Sequence, residues 1–132
     1  MEQNAVTPEE MQVLVKAQQG ELDSVLMYKA LADTVEAERD KKVFLRIAED
    51  EGRHAAVFRK LTGQALKPER TKSVIVPKLY RLIGREMLYP LIARGEYAAA
   101  KKYQSLIPRF PEVESVRRDE KRHGDVIKRL LQ

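Results

Sequence analysis

The chain has 132 residues, of which 43% are hydrophobic and 34% are charged, with a formal net charge of +5. This length suits a single domain, residues 1–132, and a sequence with few turn-bounded β-branched runs favours an all-α protein. The absence of cysteine excludes disulfides, zinc ribbons and iron–sulfur clusters within these residues, so we expect a reducing, cytoplasmic location. The first twenty residues lack a charged segment followed by an apolar run, and no apolar stretch could span a bilayer. We therefore expect neither a secretory signal nor a membrane partner.

The first predicted helix runs from Pro8 to Ala37. Thr7 can cap this helix, and Glu10 completes a capping box with it. Residues that should face the core recur at steps of three and four: Leu14, Ala17, Glu21, Ser24, Tyr28, Leu31 and Val35. Glu21 therefore belongs to the buried face, unless the buried stripe is shifted by one residue and Glu21 is an ordinary surface side chain.

The second predicted helix runs from Lys41 to Thr62. A short polar turn, Glu38 to Lys41, precedes it, and Gly63 can end it in the left-handed conformation. Because the turn is short, the first two helices should form an antiparallel hairpin. The predicted core face of the second helix contains Phe44, Ile47, Glu51, His54, Phe58 and Leu61.

Residues 64–94 form a long connection to the second half of the chain. Residues that interrupt helices are frequent there: Pro68, Pro77, Gly84 and Pro90, with Gly95 just beyond. Residues 74–84 and 85–94 could be two short helices or one kinked helix. A connection of this length allows the third bundle helix to run parallel to the second, and the alternative is that it reaches a second subunit.

Two further helices complete the chain, at residues 96–107 and 112–131. Pro108 and Pro111 mark the turn between them. The last helix repeats the pattern of the second, with Val113, Val116, Glu120, His123, Ile127 and Leu130 on its core face. Glu86 could replace Glu96 as the acidic core residue of the third bundle helix, but only Glu96 lies at nearly the same distance from the turn as Glu120.

Each of the two histidines ends a Glu-x-x-His motif, Glu51 to His54 and Glu120 to His123. A spacing of three places both side chains on one helix face, where they can reach the same metal ion. A single motif of this kind is usually a solvated pair. Here all four residues occupy core positions, where an unpaired carboxylate is costly and a metal accepts both ligand types. The two motifs together predict a two-metal site.

The two halves of the chain share a longer pattern. Glu21 is followed seven residues later by Tyr28, and Glu96 seven residues later by Tyr103. Each half therefore contains Glu, six residues, Tyr, a turn and Glu-x-x-His. This order of residues resembles the ferritin-like di-iron carboxylate superfamily, closest to its rubrerythrin branch. The resemblance extends over residues 8–131 and implies a ferritin-like four-helix bundle with a long crossover connection between helices 2 and 3.

The resemblance also implies a ligand set. Glu51 and Glu120 would bridge two iron ions, Glu21 and His54 would serve one ion, and Glu96 and His123 would serve the other. Carboxylates with a few imidazoles suit iron or manganese better than copper or structural zinc, and manganese or zinc are possible substitutes for iron. We interpret Tyr28 and Tyr103 as hydrogen-bond donors to a metal ligand on a neighbouring helix. The alternative is a tyrosine that fills the core with its hydroxyl satisfied elsewhere.

The implied function is a non-haem di-iron oxidoreductase that reacts with hydrogen peroxide or O₂, as a peroxidase or a ferroxidase. Because there is no cysteine, we expect a separate electron donor protein in place of a rubredoxin domain. Ala93 and Ala99 lie where some relatives carry an extra carboxylate, which argues against a ligand switch. We also expect a homo-oligomer, most simply a dimer. The alternatives are an iron-binding or iron-delivery module without turnover and a basic helical interaction protein.

Charge is unevenly distributed along the chain. Residues 1–66 carry 9 basic and 12 acidic side chains, whereas residues 67–132 carry 16 and 8. A basic half can bind nucleic acid, anionic lipid or an acidic protein. If four glutamates are metal ligands, however, their charge is balanced internally and the surface excess of Lys and Arg need bind nothing. We therefore do not expect nucleic-acid binding as the main function.

Overall fold

A computed structural model describes residues 5–132, and these residues form five α-helices without any β-strand. The helices are α1 (Pro8–Thr34), α2 (Glu38–Thr62), α3 (Thr71–Ile83), α4 (Arg85–Gln104) and α5 (Val113–Arg129). α1 packs along α2, α4 packs along α5, and α2 also contacts α5, while α3 lies against α1. This confirms the predicted all-α, ferritin-like bundle of four long helices. In residues 5–132 no helix combines the length and the apolar character needed to cross a membrane.

The junction between α1 and α2 differs from the sequence prediction. The capping box is present, since the Glu10 amide donates to Thr7 Oγ1 at 3.1 Å and the Thr7 amide donates to Glu10 Oε1 at 2.9 Å. α1 ends at Thr34 instead of Ala37, because Val35 adopts an extended conformation that buries its side chain. The predicted polar turn is instead the first turn of α2, where the negative charges of Glu38 and Asp40 favour the helix N-terminus.

The third bundle helix is longer than predicted. It starts at Arg85 instead of residue 96 and continues through Pro90, which cannot donate a backbone hydrogen bond. Leu88, Tyr89 and Ala93 on the same helix are almost completely buried. An interior proline costs roughly 3 kcal/mol and burial of a large side chain contributes about 1.5–3 kcal/mol, so the buried face outweighs the proline.

A buried ion pair anchors the start of this helix. Tyr89 donates its hydroxyl hydrogen to Asp40 Oδ2 at 2.6 Å, and the Arg85 guanidinium lies 3.1 Å from the same oxygen. Gly84, which precedes Arg85, has a φ of 80°. This non-helical conformation separates α3 from α4. Of the two alternatives for residues 74–94, two helices or one kinked helix, the structure has two helices, and the second continues into the bundle.

The core has two apolar clusters with a polar layer between them. The Tyr89 cluster includes Tyr28 and Leu31 of α1, Phe44 and Ile47 of α2, Tyr89 and Ala93 of α4, and Ile127 of α5. The Tyr103 cluster includes Leu14 and Ala17 of α1, Phe58 of α2, Tyr103 of α4, and Val113 and Val116 of α5. α2 and α4 run from the Tyr89 cluster to the Tyr103 cluster, and α1 and α5 run the other way. All four long helices therefore carry buried polar residues at the same height.

Candidate metal centre

The polar layer contains the six residues that the sequence singles out as metal ligands. They come from four helices and are all buried, with the following exposed fractions: Glu21 2%, Glu51 1%, His54 3%, Glu96 7%, Glu120 1% and His123 2%. Four carboxylates and two imidazoles thus converge in the interior, between the Tyr89 and Tyr103 clusters. Such a concentration of ionisable groups is costly without partners that balance its charge.

The first group of ligand atoms surrounds the His54 ring. Its Nδ1 atom lies 3.0 Å from Glu21 Oε1 and 3.2 Å from both Glu51 Oε1 and Glu120 Oε1. One atom from each of these four residues lies within 4.8 Å of all the others. Carboxylate and imidazole atoms at such mutual distances can hold one metal ion.

The second group surrounds the His123 ring. Its Nδ1 atom lies 2.8 Å from Glu96 Oε1, 3.3 Å from Glu120 Oε1 and 3.5 Å from Glu51 Oε1. One atom from each of Glu51, Glu96, Glu120 and His123 likewise lies within 4.8 Å of all the others. Glu51 and Glu120 belong to both groups, whereas Glu21 and Glu96 belong to one group each.

Two aspartates that the sequence analysis did not select complete the histidine environment. His54 Nε2 lies 2.8 Å from Asp119 Oδ2, and His123 Nε2 lies 2.7 Å from Asp50 Oδ2. Each aspartate immediately precedes the glutamate of one motif and contacts the histidine of the other motif. The sequence signal was therefore available, as Asp-Glu-x-x-His in both copies. An aspartate that accepts the Nε2 hydrogen leaves Nδ1 to face the carboxylates.

The two tyrosines of the repeated pattern also lie beside the polar layer. Tyr103 of α4 donates its hydroxyl hydrogen to Glu21 Oε2 of α1 at 2.7 Å. Tyr28 is completely buried, and its hydroxyl has no hydrogen-bond partner within residues 5–132. Burial and then the negative charge of Glu96 raise the pKa of Tyr28 well above its usual value. Burial and then the negative charge of Glu21 raise the pKa of Tyr103 as well, so both tyrosines remain neutral.

The model of the rubrerythrin family matches residues 12–131, which include both hairpins and all six buried ligand candidates. The chain belongs to the rubrerythrin family. This confirms the resemblance found in the sequence, and members of this family typically bind iron. A search of curated proteins and a search of solved structures each found no match.

The two acidic residues that compete for the third-helix position lie in different environments in this rubrerythrin-family chain. Glu96 accepts a hydrogen bond from His123 in the polar layer, whereas the Glu86 side chain is 74% exposed at the start of α4. The structure therefore brings Glu96 together with the other five residues and leaves Glu86 on the surface.

Unpartnered oxygens show how the rubrerythrin-family site fits a metal. Both carboxylate oxygens of Glu51 and one of Glu120 are buried without a hydrogen bond. Glu51 Oε1 and Glu120 Oε1 nevertheless lie within ion-pair distance of the Nδ1 atoms of His54 and His123. These two glutamates are the ones shared by both groups. Buried carboxylate oxygens without donors are costly, and two divalent cations would satisfy them. The residues present thus fit a two-metal centre.

The ionisation of the protein without metal supports the same view. Burial, and then the charge of Glu21, raises the pKa of Glu51 well above its usual value, and burial raises the pKa of Glu96 to about 7. Burial alone would lower the pKa of His123, but the nearby Glu120 carboxylate and then the hydrogen bond with Glu96 raise it to about 10. Without metal, therefore, protons bound to imidazoles and carboxylates balance the charge, and metal ions must displace those protons.

Proposed function

We propose that this chain is a non-haem di-iron oxidoreductase that reacts with hydrogen peroxide or O₂. The observation that supports this proposal best is that Glu51 and Glu120 are shared between two groups of ligand atoms, while both oxygens of Glu51 and one of Glu120 are buried without a hydrogen-bond donor. A single structural metal needs one set of four ligands. Two adjoining sets with shared carboxylates are suited to a pair of metal ions that act together.

In this proposal each chemical group has a defined role. Glu21 and His54 would hold one ion, Glu96 and His123 would hold the other, and Glu51 and Glu120 would contribute to both sites. Oxygen ligands with one imidazole per metal suit iron or manganese, and zinc can occupy the same positions. Bound there, a pair of ferrous ions would supply the two electrons that, together with two protons, reduce hydrogen peroxide to two molecules of water.

The surrounding side chains orient these ligands. Asp119 and Asp50 lie within hydrogen-bond distance of Nε2 of His54 and His123. They accept the Nε2 hydrogens and orient both Nδ1 atoms toward the centre, where a metal ion would take the place of the Nδ1 proton. Tyr103 holds the outer oxygen of Glu21 through its hydroxyl. The Tyr89 and Tyr103 clusters lie on either side of the layer and exclude bulk water from these two sides.

The electrons for repeated turnover come from a separate donor in this proposal. Residues 1–132 contain no cysteine that could hold an iron–sulfur centre, so the donor is a group outside these residues. With such a donor the protein acts as a peroxidase, and without one it oxidises iron stoichiometrically as a ferroxidase. A reducing compartment such as the cytoplasm suits a centre that starts from the ferrous state.

The test is anaerobic reconstitution with Fe(II), followed by metal analysis and an optical spectrum after one equivalent of hydrogen peroxide. We expect two irons per chain and rapid growth of near-ultraviolet absorption typical of ferric iron. Glu51→Ala should abolish iron binding, while Glu86→Ala, a change of the same kind at an exposed position, should leave it unchanged. Iron that binds but does not react with peroxide or O₂ would instead indicate a module for iron delivery. A wild-type protein without bound iron would refute the proposal.

A further inference from the structure

A large groove opens beside the polar layer, between α1 and α4. Its volume is about 720 Å³, and α3 contributes to one wall through Lys72 and Val76. Its inner end reaches Glu21, Glu96 and Glu120. The backbones of α1 and α4 do not pack directly against each other, and only side chains such as Tyr103 and Glu21 meet between them, whereas each helix packs closely against its hairpin partner. The groove therefore gives access to the candidate metal centre from one side of the bundle.

Small residues on the facing helices create this space. α1 contributes Gly20 and α4 contributes Gly95, and each precedes the glutamate of its own half. A methyl group added at either glycine would meet no other atom within 4 Å. Ala17 and Ala99 continue the two walls with short side chains. The groove is thus open along its length and is not filled by any side chain of residues 5–132.

The groove is too large for the oxidants alone. A water-sized molecule occupies roughly 30 Å³ in the liquid, and hydrogen peroxide is only slightly larger. Cavities of about 300–1,000 Å³ with mainly apolar walls are typical of sites for organic ligands. Here the apolar wall is formed by side chains such as Val13, Met27, Val76, Ile92 and Leu106. The dimensions and the lining favour an apolar organic body.

The mouth of the groove is positively charged. Lys16 of α1, Lys72 of α3 and Lys102 of α4 line it, and all three side chains are exposed. Among residues 5–132 none of these ammonium groups forms an ion pair. The acidic residues of the lining, Glu21, Glu96 and Glu120, are buried at the inner end. Apolar walls beside three exposed lysines complement an anion with an apolar tail.

We propose that the groove binds an amphipathic carboxylate of the medium-chain fatty acid class. The carboxylate pairs with the lysines that line the groove, Lys16, Lys72 and Lys102, and the hydrocarbon chain lies against the apolar walls formed by α1 and α4. Binding of this ligand requires no metal ion, so the inference goes beyond the proposed oxidoreductase function and does not depend on it. It places an organic molecule directly beside the candidate metal centre.

The test is calorimetric titration of the protein with dodecanoate below its micelle concentration, with and without bound iron. We expect one dodecanoate per chain in both states and no binding of acetate, which has the head group alone. Dodecyltrimethylammonium has the same tail and the opposite charge, and it should bind at least about tenfold more weakly, because the lysines would repel it. Equal binding of both amphiphiles would overturn the inference.

Variants separate the contribution of the tail from that of the head group. Gly20→Leu combined with Gly95→Leu fills the groove, and it should fold well because leucine is a better helix former than glycine. It should abolish dodecanoate binding. Lys16→Glu, Lys72→Glu and Lys102→Glu together should weaken binding by about tenfold or more. The matched control changes three exposed lysines outside the groove, Lys29, Lys60 and Lys101, to Glu. This control should bind dodecanoate as the wild type does.

Two outcomes would contradict the inference in different ways. Unchanged dodecanoate binding by the leucine variant would place the ligand elsewhere. Sedimentation velocity could instead show that the wild-type protein is a dimer with or without dodecanoate and that the leucine variant is a monomer. A second copy would then cover the groove. Glu51→Ala distinguishes this inference from the proposed function, since it should lose iron and still bind dodecanoate.

Discussion

The two helical hairpins carry the same pattern of ligand candidates, but their tyrosines have different surroundings. Tyr103 of the α4–α5 hairpin bonds Glu21 of the α1–α2 hairpin at 2.7 Å, whereas the Tyr28 hydroxyl has no partner within residues 5–132. Glu21 is therefore held by His54 and Tyr103, and Glu96 is held by His123 alone. A repeat in sequence thus produces ligands of the same type that are fixed to different degrees.

The hairpins also depend on each other. Asp50 of the first hairpin bonds His123 of the second, and Asp119 of the second bonds His54 of the first. Arg122 connects the two aspartates, at 2.8 Å from Asp119 and 3.5 Å from Asp50. Neither hairpin alone provides a complete histidine environment. The repeat therefore describes how the sequence is organised, while the site belongs to the whole bundle.

The largest effect should distinguish shared ligands from those of one hairpin. Glu120→Ala should reduce iron from two ions per chain to none, because Glu120 contributes to both groups. Glu21→Ala and Glu96→Ala should each retain one ion, because each of these residues belongs to one group. Metal analysis after anaerobic desalting measures the difference. Retention of one ion by Glu120→Ala would show that this carboxylate is not shared. The control is Glu49→Ala, at an exposed position on α2, which should retain both ions.

The next effect concerns pH and the protons that metal ions displace. The raised pKa of Glu96, about 7, stabilises the metal-free fold below pH 4.5, and this contribution disappears as the pH rises through 7. The raised pKa of His123, about 10, stabilises it below pH 6.5, and that contribution disappears as the pH rises through 10. We therefore expect the melting temperature of the metal-free protein to fall as the pH rises from about 5 to 10.

Metal affinity should change in the opposite direction. Each proton displaced by a metal ion makes the affinity rise by about tenfold per pH unit. Competition titrations at several pH values measure how the metal affinity changes with pH. Melting curves of metal-free Glu96→Gln are the control for the change of melting temperature with pH. That variant lacks the titrating carboxyl, so it should lose the part of the decrease in melting temperature between pH 4.5 and 7 that arises from Glu96. A metal affinity independent of pH would contradict the assigned proton positions.

A smaller effect is expected from the aspartates that link the hairpins. Asp119→Ala should weaken the metal at His54, and Asp50→Ala the metal at His123, by about 10–100-fold, because the imidazole loses the acceptor that orients it. Competition with a chelator measures both affinities. Asp33→Ala removes an exposed carboxylate from α1 and should leave them unchanged. Equal weakening of both metals by either variant would show that the aspartates act through the fold as a whole.

The parts that the sequence predicted correctly are those governed by local rules. The capping box of Thr7 and Glu10, the left-handed Gly63 and the core faces of α2 and α5 depend on neighbouring residues and on helical spacing. The start of α4 at Arg85 could not be obtained in this way. It depends on the burial of Leu88 and Tyr89 against other helices, which overrides the effect of Pro90.

The site was predicted only in part for a similar physical reason. Buried ligand candidates interrupt an apolar face, so they are conspicuous in the sequence. Asp50 and Asp119 lie at the edge of the layer, where a carboxylate is usual, and their role depends on contacts with the opposite hairpin. The groove has no sequence signal of its own, since Gly20 and Gly95 are unremarkable until α1 and α4 are seen to face each other across it.

The smallest effect tests the difference between the tyrosines directly. Tyr103→Phe removes the donor to Glu21 and should lower the unfolding free energy of the metal-free protein by about 0.5–1.5 kcal/mol. Tyr28→Phe removes a buried hydroxyl that has no partner, and should therefore be neutral or slightly stabilising. Urea unfolding of both variants measures the two values. If Tyr28→Phe costs as much as Tyr103→Phe, the Tyr28 hydroxyl must have an equivalent bond to Glu96, and the two halves of the centre would be alike in hydrogen bonding as well as in sequence.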